Sequence, residues 1–227
     1  DREEGVSPKD DQYGWYRKGP IGSDFHIQEV LPHLFDKSME YVTDRSEEAR
    51  NGKPFFLYFP LPAPHTPIVP VPPFRDASGL NPYGDFVMQV DYLMGELLDC
   101  VKKNGLENNT LVIFTSDNGC SPQANFDLLK KHGHNPSGIY RGHKADIFEG
   151  GHRVPLIVKW PGHIAPRTTT QALVCHTDIY TSLAEIVNHS DHAIGGEDGY
   201  SLLPVFHGKR SSDRTALVSH SIDGSFA

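Results

Sequence analysis

A carboxylate next to a carboxamide at the end of an apolar run is the pairing in this sequence whose types and spacing are suited to chemistry. Residues 111–115, LVIFT, are apolar or β-branched; the run then breaks into Ser116, Asp117, Asn118 and Gly119. Asp117 and Asn118 offer oxygen donors of the kind a hard cation takes, at the point where a buried strand would end. The alternative reading is a plain turn, which Asp-Asn-Gly forms well. His65 is a second candidate: Pro64, Thr66 and Pro67 restrict its backbone and leave its ring to meet a ligand. A lone loop histidine is otherwise merely hydrogen-bonded or solvated. Among 13 histidines, His132, His134, His143 and His152 fall in one long loop and raise a rival zinc site, although their spacing fits no standard one.

These residues need elements to position them. Leu31, Leu34, Phe35, Met39 and Val42 recur at helical spacing, which predicts a helix over 29–50 with Pro32 in its first turn and Gly52 as a stop. PFFLYF, 54–59, reads as a short strand covered on both faces. Seven prolines in 60–74 exclude helix and central strand and make that segment, with His65 in it, a rigid loop. Val87, Val90, Met94, Leu97, Leu98 and Val101 trace one face of a helix over 85–103, ended by Asn104 and Gly105. Strand, helix, strand is a crossover unit, so 54–59 and 111–115 are expected to run parallel in one sheet, with the helix on its face. His65 and Asp117 would then share one edge. Residues 119–153 form a connection of functional length before a strand over 154–160, which is expected in the same sheet. A short run at 172–175, a helix marked by Ile179, Leu183, Ile186 and Val187, and a strand beginning over 215–219 complete the reading, while 1–28 reads as loop.

Composition narrows the classes. At 227 residues and 37% hydrophobic content the chain can build a real core. A net charge of -8, with 21 Lys and Arg in no stripe, argues against a nucleic-acid partner. No apolar run approaches a membrane span, and neither an initiator Met nor a signal peptide precedes DREEGVSPKD, so the chain is expected to continue beyond both of its ends. Cys100, Cys120 and Cys175 are odd in number and scattered, outlining neither a disulfide framework nor a zinc ribbon. Asn108 and Asn188 head glycosylation sequons, which are too common to place the protein.

The order and spacing of GPIGSDF, VLPHLFDKS, PHTP, VDYLMG, NNTLVIFTSDNG, RGHKADIFEGGHRVPLIVKWPG, TDIYTSLAEIV and DGYSLLPVFHG resemble the sulfatases, calcium-dependent sulfate ester hydrolases of the alkaline phosphatase superfamily. The resemblance implies an α/β fold: a three-layer α/β/α sandwich around a mostly parallel sheet, here incomplete. Residues 1–210 would be the second half of the catalytic domain, and 211–227 the start of a smaller C-terminal subdomain. Carried over, Asp117 and Asn118 are ligands of one Ca²⁺, Lys144 neutralises a sulfate oxygen, and His65 protonates the departing alcohol. Arg153, Glu149 and Gly150 are loop scaffolding. The implied substrate is a small-molecule or carbohydrate sulfate ester, and the implied location is periplasmic or secreted. The family's upstream acidic pair and its Cys/Ser-x-Pro-x-Arg motif, source of the formylglycine nucleophile, are absent, as are its upstream sulfate-contacting Lys and His. Cys120-Ser121-Pro122 lacks the arginine and follows the metal pair, so Cys120 is not that nucleophile. The fragment alone is expected to be inactive. The alternatives are a phosphodiesterase or phosphonate hydrolase of the same superfamily, or a non-catalytic binding module.

Overall fold

The computed structural model describes residues 2–5, 19–188, 196–209 and 211–225, and its backbone groups into two units. The first contains 1–107 and 117–154. It opens with strands β1 (Arg2–Gly5) and β2 (Gly19–Gly22), paired antiparallel with Arg2 opposite Gly22. That corrects the loop expected over 1–28 at both of these stretches; residues 6–18 lie outside the described part. Four-residue strands containing Gly and Pro carry no periodicity, so only the long-range pairing reveals them.

Helix α1 (Ile27–Arg50) buries Leu31, Phe35, Ser38, Val42 and Ser46, one stripe at steps of three and four. Phe35 is wholly buried, worth about 2–3 kcal/mol relative to exposure. Helix α2 (Pro82–Lys103) packs on α1 and buries Phe86, Val90, Leu97 and Val101. Both of its ends are specified. Asn81 caps the start with Oδ1 accepting from the Gly84 N–H at 3.0 Å and Pro82 at the first turn, while Gly105 at φ 70° follows the Asn104 cap. Arg50 on α1 reaches the Asn104 carbonyl at 2.6 Å.

Two buried polar residues on α2 are anchors for the proline-rich loop. Asp85 accepts from the N–H groups of Asp76 at 2.8 Å and Ser78 at 2.9 Å, and Gln89 Oε1 accepts from the Val71 N–H at 3.0 Å. Residues 54–59 are not the expected strand, and no parallel pair with 111–115 forms. Phe59 packs edge-on against Phe35 and Phe55 against Tyr41 of α1, while Phe56 and Tyr58 on the other side are 70% and 78% exposed. Extended backbone becomes a strand only through a ladder partner, and 111–115 pairs with a different segment.

The second unit contains 108–116 and 155–227. Strands β3 (Val112–Thr115) and β4 (Leu156–Lys159) lie within the expected runs and share a sheet, antiparallel, with Val112 opposite Lys159 and Thr115 opposite Leu156. Between them in sequence lie the short helices α3 (Phe126–Lys131) and α4 (Glu149–His152), both in the first unit. Helix α5 (Thr177–Ile186) follows the expected periodicity, and α6 (Leu203–Phe206) comes after it. Asp178, wholly buried on α5, accepts from the Cys175 and Tyr200 N–H groups at 2.8 and 2.9 Å and pairs with Arg214. That hydrogen bond holds the Arg214 guanidinium above its ordinary pKa. Ser182 donates to the Asp178 carbonyl at 2.6 Å and accepts from the Leu202 N–H at 2.7 Å. The strand expected to begin over 215–219 is irregular backbone, for the same want of a ladder partner, and so is the short run at 172–175.

Candidate active site

The segment after β3 turns at once. Asp117 is exposed, and its Oδ1 accepts the Asn118 N–H at 2.9 Å, a local bond that bends the chain. Asn118 Nδ2 donates to the Gly119 carbonyl at 3.0 Å. The turn reading is therefore satisfied, and it leaves Asp117 and Asn118 side by side on the bend.

Close backbone packing joins this turn to the basic loop. The Gly119 N–H donates to the Gly151 carbonyl at 2.9 Å, the Gly150 N–H to the Arg141 carbonyl at 2.8 Å, and the Lys144 N–H to the Cys120 carbonyl at 2.9 Å. Glycine is required at the crossings. A Cβ on Gly119 would strike the Gly150 carbonyl, one on Gly150 the Gly142 carbonyl, and one on Gly151 the carbonyls of Asp146 and His143. Glu-Gly-Gly is thus the place where 117–120, 141–146 and 149–151 pack backbone to backbone. Around it, Arg141 lies 3.7 Å over the Phe148 ring, Arg153 lies 4.8 Å over Tyr140, and Arg153 bonds Glu149 at 3.0 Å. The His143 N–H donates to Asp146 at 3.0 Å, closing the turn that presents Lys144, which is half-buried.

Of the four candidates, hydrogen bonding draws the Lys144 loop and the Asp117-Asn118 turn together. His65, exposed in the same unit, bonds within its own turn: Nδ1 lies 2.7 Å from the Thr66 carbonyl. A carbonyl partner fixes Nδ1 as the protonated nitrogen, so Nε2 accepts a proton in the neutral ring and donates one from the imidazolium.

Asp117 and Asn118 fit an oxygen-seeking cation in donor type. No group of three His, Cys, Asp or Glu able to hold a metal forms among the described residues. His132, His134, His143 and His152 form no such group either; His143 sits ring to ring with Phe126 at 5.2 Å, its Nδ1 2.9 Å from the Lys144 carbonyl. Burial pushes the Cys120 thiol up, with a hydrogen bond to Tyr83 opposing part of the rise, and burial likewise raises the Tyr83 phenol. A thiol held protonated is the reverse of an activated nucleophile.

Two contributors carry no chemical signature in the sequence. Asn81 Nδ2 donates to the Ala124 carbonyl at 2.8 Å, and Tyr83 meets Cys120. The Asn-Pro start of α2 signals the helix cap but not the second, distant bond from the same side chain.

The sulfatase family model matches residues 6–189. Over 219 residues the chain is 32% identical to the N-acetylgalactosamine-6-O-sulfatase of Bacteroides thetaiotaomicron, covering 94% of this chain and 41% of that protein. It is 35% identical to human arylsulfatase A, covering 82% of this chain and 36% of that enzyme. The crystal structure of the PsFucS1 sulfatase from Pseudoalteromonas sp. superposes with a TM-score of 0.77 at 29% identity, covering 92% of this chain and 41% of that one. The chain therefore spans about two fifths of the length of these relatives, and its helices and short strands are part of the alkaline-phosphatase-like α/β fold. A match across most of the sequence, on top of a turn of oxygen donors locked to a lysine loop by glycine crossings, makes this chain a member of the sulfatase family.

Proposed function

We propose that the chain contributes part of the active centre of a sulfate ester hydrolase, with Asp117 and Asn118 ligating one Ca²⁺ and Lys144 and His65 acting on the ester. The remaining ligands and a formylglycine nucleophile would come from the rest of the protein. We also divide the chain at 210/211, between the catalytic domain and a smaller C-terminal subdomain. The single observation that carries the reading is the backbone lock between the Asp117-Asn118 turn and the Lys144 loop. It holds the backbones of the two loops together, which supports a carboxylate, an amide oxygen and an ammonium acting on one anionic ester beside a cation.

When bound, Ca²⁺ supplies positive charge to the sulfate oxygens. Asp117 and Asn118 hold it through one carboxylate and one amide oxygen. Lys144 balances charge on a further sulfate oxygen and orients the ester. His65, protonated at Nε2 and steadied at Nδ1 by Thr66, would deliver a proton to the alcohol oxygen as its bond to sulfur breaks and an oxygen of the formylglycine hydrate from the rest of the protein bonds to sulfur in its place. The relatives' names span an aryl sulfatase and a sugar sulfatase, so the substrate is a small-molecule or carbohydrate sulfate monoester. Secretion or the periplasm suits such a substrate.

The test is sulfate release from an aryl sulfate and from a 6-sulfated amino sugar by the full-length protein, with a phosphodiester as the competing substrate. Lys144→Ala is expected to cut kcat/KM at least about 100-fold on the sulfate ester. Preference for the phosphodiester, or full activity in Lys144→Ala, would overturn the assignment.

A further inference from the structure

We infer that Asn81 and Tyr83, at the start of α2, are positioning residues that brace the metal-binding turn from behind and set its cation affinity. This rests on the calcium reading of Asp117 and Asn118. The Asn81 side chain is 6% exposed and uses both of its ends: Oδ1 caps α2 through the Gly84 N–H, and Nδ2 donates to the Ala124 carbonyl at 2.8 Å. A helix cap needs only the oxygen, so the amide nitrogen is free to do a second task. Asn81 at that position therefore satisfies a buried carbonyl that a serine cap would leave bare.

Tyr83, in the first turn of the same helix, reaches the Cys120 thiol. The Cys120 carbonyl in turn accepts the Lys144 N–H at 2.9 Å. One rigid helix end thus holds 120–124 at two points. That segment begins just past the ligand pair, and its carbonyl at Cys120 carries the lysine loop. Ala124 is itself 1% exposed, and Asn125, at φ 62°, reverses the chain into α3 with its side chain accepting from the Leu128 N–H at 3.2 Å. The far end of the segment is therefore pinned as well. With both ends fixed, α2 adds a second support to a turn that the Gly119 N–H already ties to the Gly151 carbonyl at 2.9 Å. Partners that orient a metal's direct ligands are commonly worth about tenfold or more in affinity.

The experiment compares Asn81→Ser, which keeps the cap oxygen and removes the amide donor, and Tyr83→Phe, which keeps the ring and removes the hydroxyl, in the full-length protein. The control is Arg50→Ala, which loses the Arg50 bond to the Asn104 carbonyl at the opposite end of α2. Calcium is titrated into metal-stripped protein by calorimetry, and kcat and KM are then measured at low and at saturating calcium. Both test variants should weaken calcium binding by about tenfold, with kcat restored at saturating calcium, while Arg50→Ala keeps wild-type affinity. Equal weakening in Arg50→Ala would show general destabilisation and overturn the brace, as would unchanged affinity in both test variants. If Asn81→Ser fails to fold, Tyr83→Phe alone decides by the same criterion. Wild-type protein that binds no calcium would overturn the calcium reading itself, an outcome distinct from wild-type binding that the variants leave unchanged.

Discussion

At the scale of single residues, the site is built from backbone as much as from side chains. Gly119 donates to Gly151 while its missing Cβ leaves room for the Gly150 carbonyl. Gly119→Ala is therefore expected to push the Asp117-Asn118 turn away from the Lys144 loop. The strain should cost about 1–3 kcal/mol in urea unfolding and lower sulfatase activity by more than that stability loss explains. Gly133→Ala is a useful contrast, because its Cβ would meet nothing within 4 Å and only its φ of 73° is strained. Equal activity in the two variants would mean that the crossing does not position the site. The roles proposed for Lys144 and His65 depend on these contacts holding the loops in place.

At the scale of elements, α2 is the organiser. One face of it packs on α1, its start holds 120–124, and its interior polar residues tie down the proline-rich loop that carries His65. Asp85 is 2% exposed and accepts two loop N–H groups. Asp85→Ala would strip both acceptors and should destabilise the protein by about 2–4 kcal/mol. Amide exchange at Asp76 and Ser78 should speed up well before global unfolding, and unaltered protection there would show that the loop is held by something else. α1 does a simpler job, offering Phe35 and Tyr41 to the extended run at Phe59 and Phe55.

At the scale of the whole molecule, the chain spans about two fifths of the length of its relatives, and the proposed calcium site draws only two ligands from it. One carboxylate and one amide cannot replace the water shell of Ca²⁺, so residues 1–227 by themselves should bind calcium only weakly. The same piece is expected to show no measurable turnover of an aryl sulfate, since a reaction deprived of its nucleophile loses many orders of magnitude in rate. Turnover well above a Lys144→Ala control of the same length would place the nucleophile within the chain and return Cys120 to consideration.

The family, the two long helices and the residues to suspect were legible in the sequence, because each leaves a local trace. Leu31, Phe35 and Val42 repeat at helical spacing whatever surrounds them, and Asp-Asn-Gly and Glu-Gly-Gly are motifs read by order. It also located the runs that became β3 and β4. Pairing was another matter. That 112–115 runs antiparallel to 156–159, that 54–59 finds no ladder, and that 2–5 meets 19–22 depend on which distant backbone comes alongside, and no residue encodes its partner locally. Why the glycines are needed, and which distant groups Asn81 and Asp85 bond, emerge only from the tertiary contacts. A buried amide or carboxylate reads as an ordinary polar residue until the donor or carbonyl it satisfies, up to 43 residues away, is brought against it.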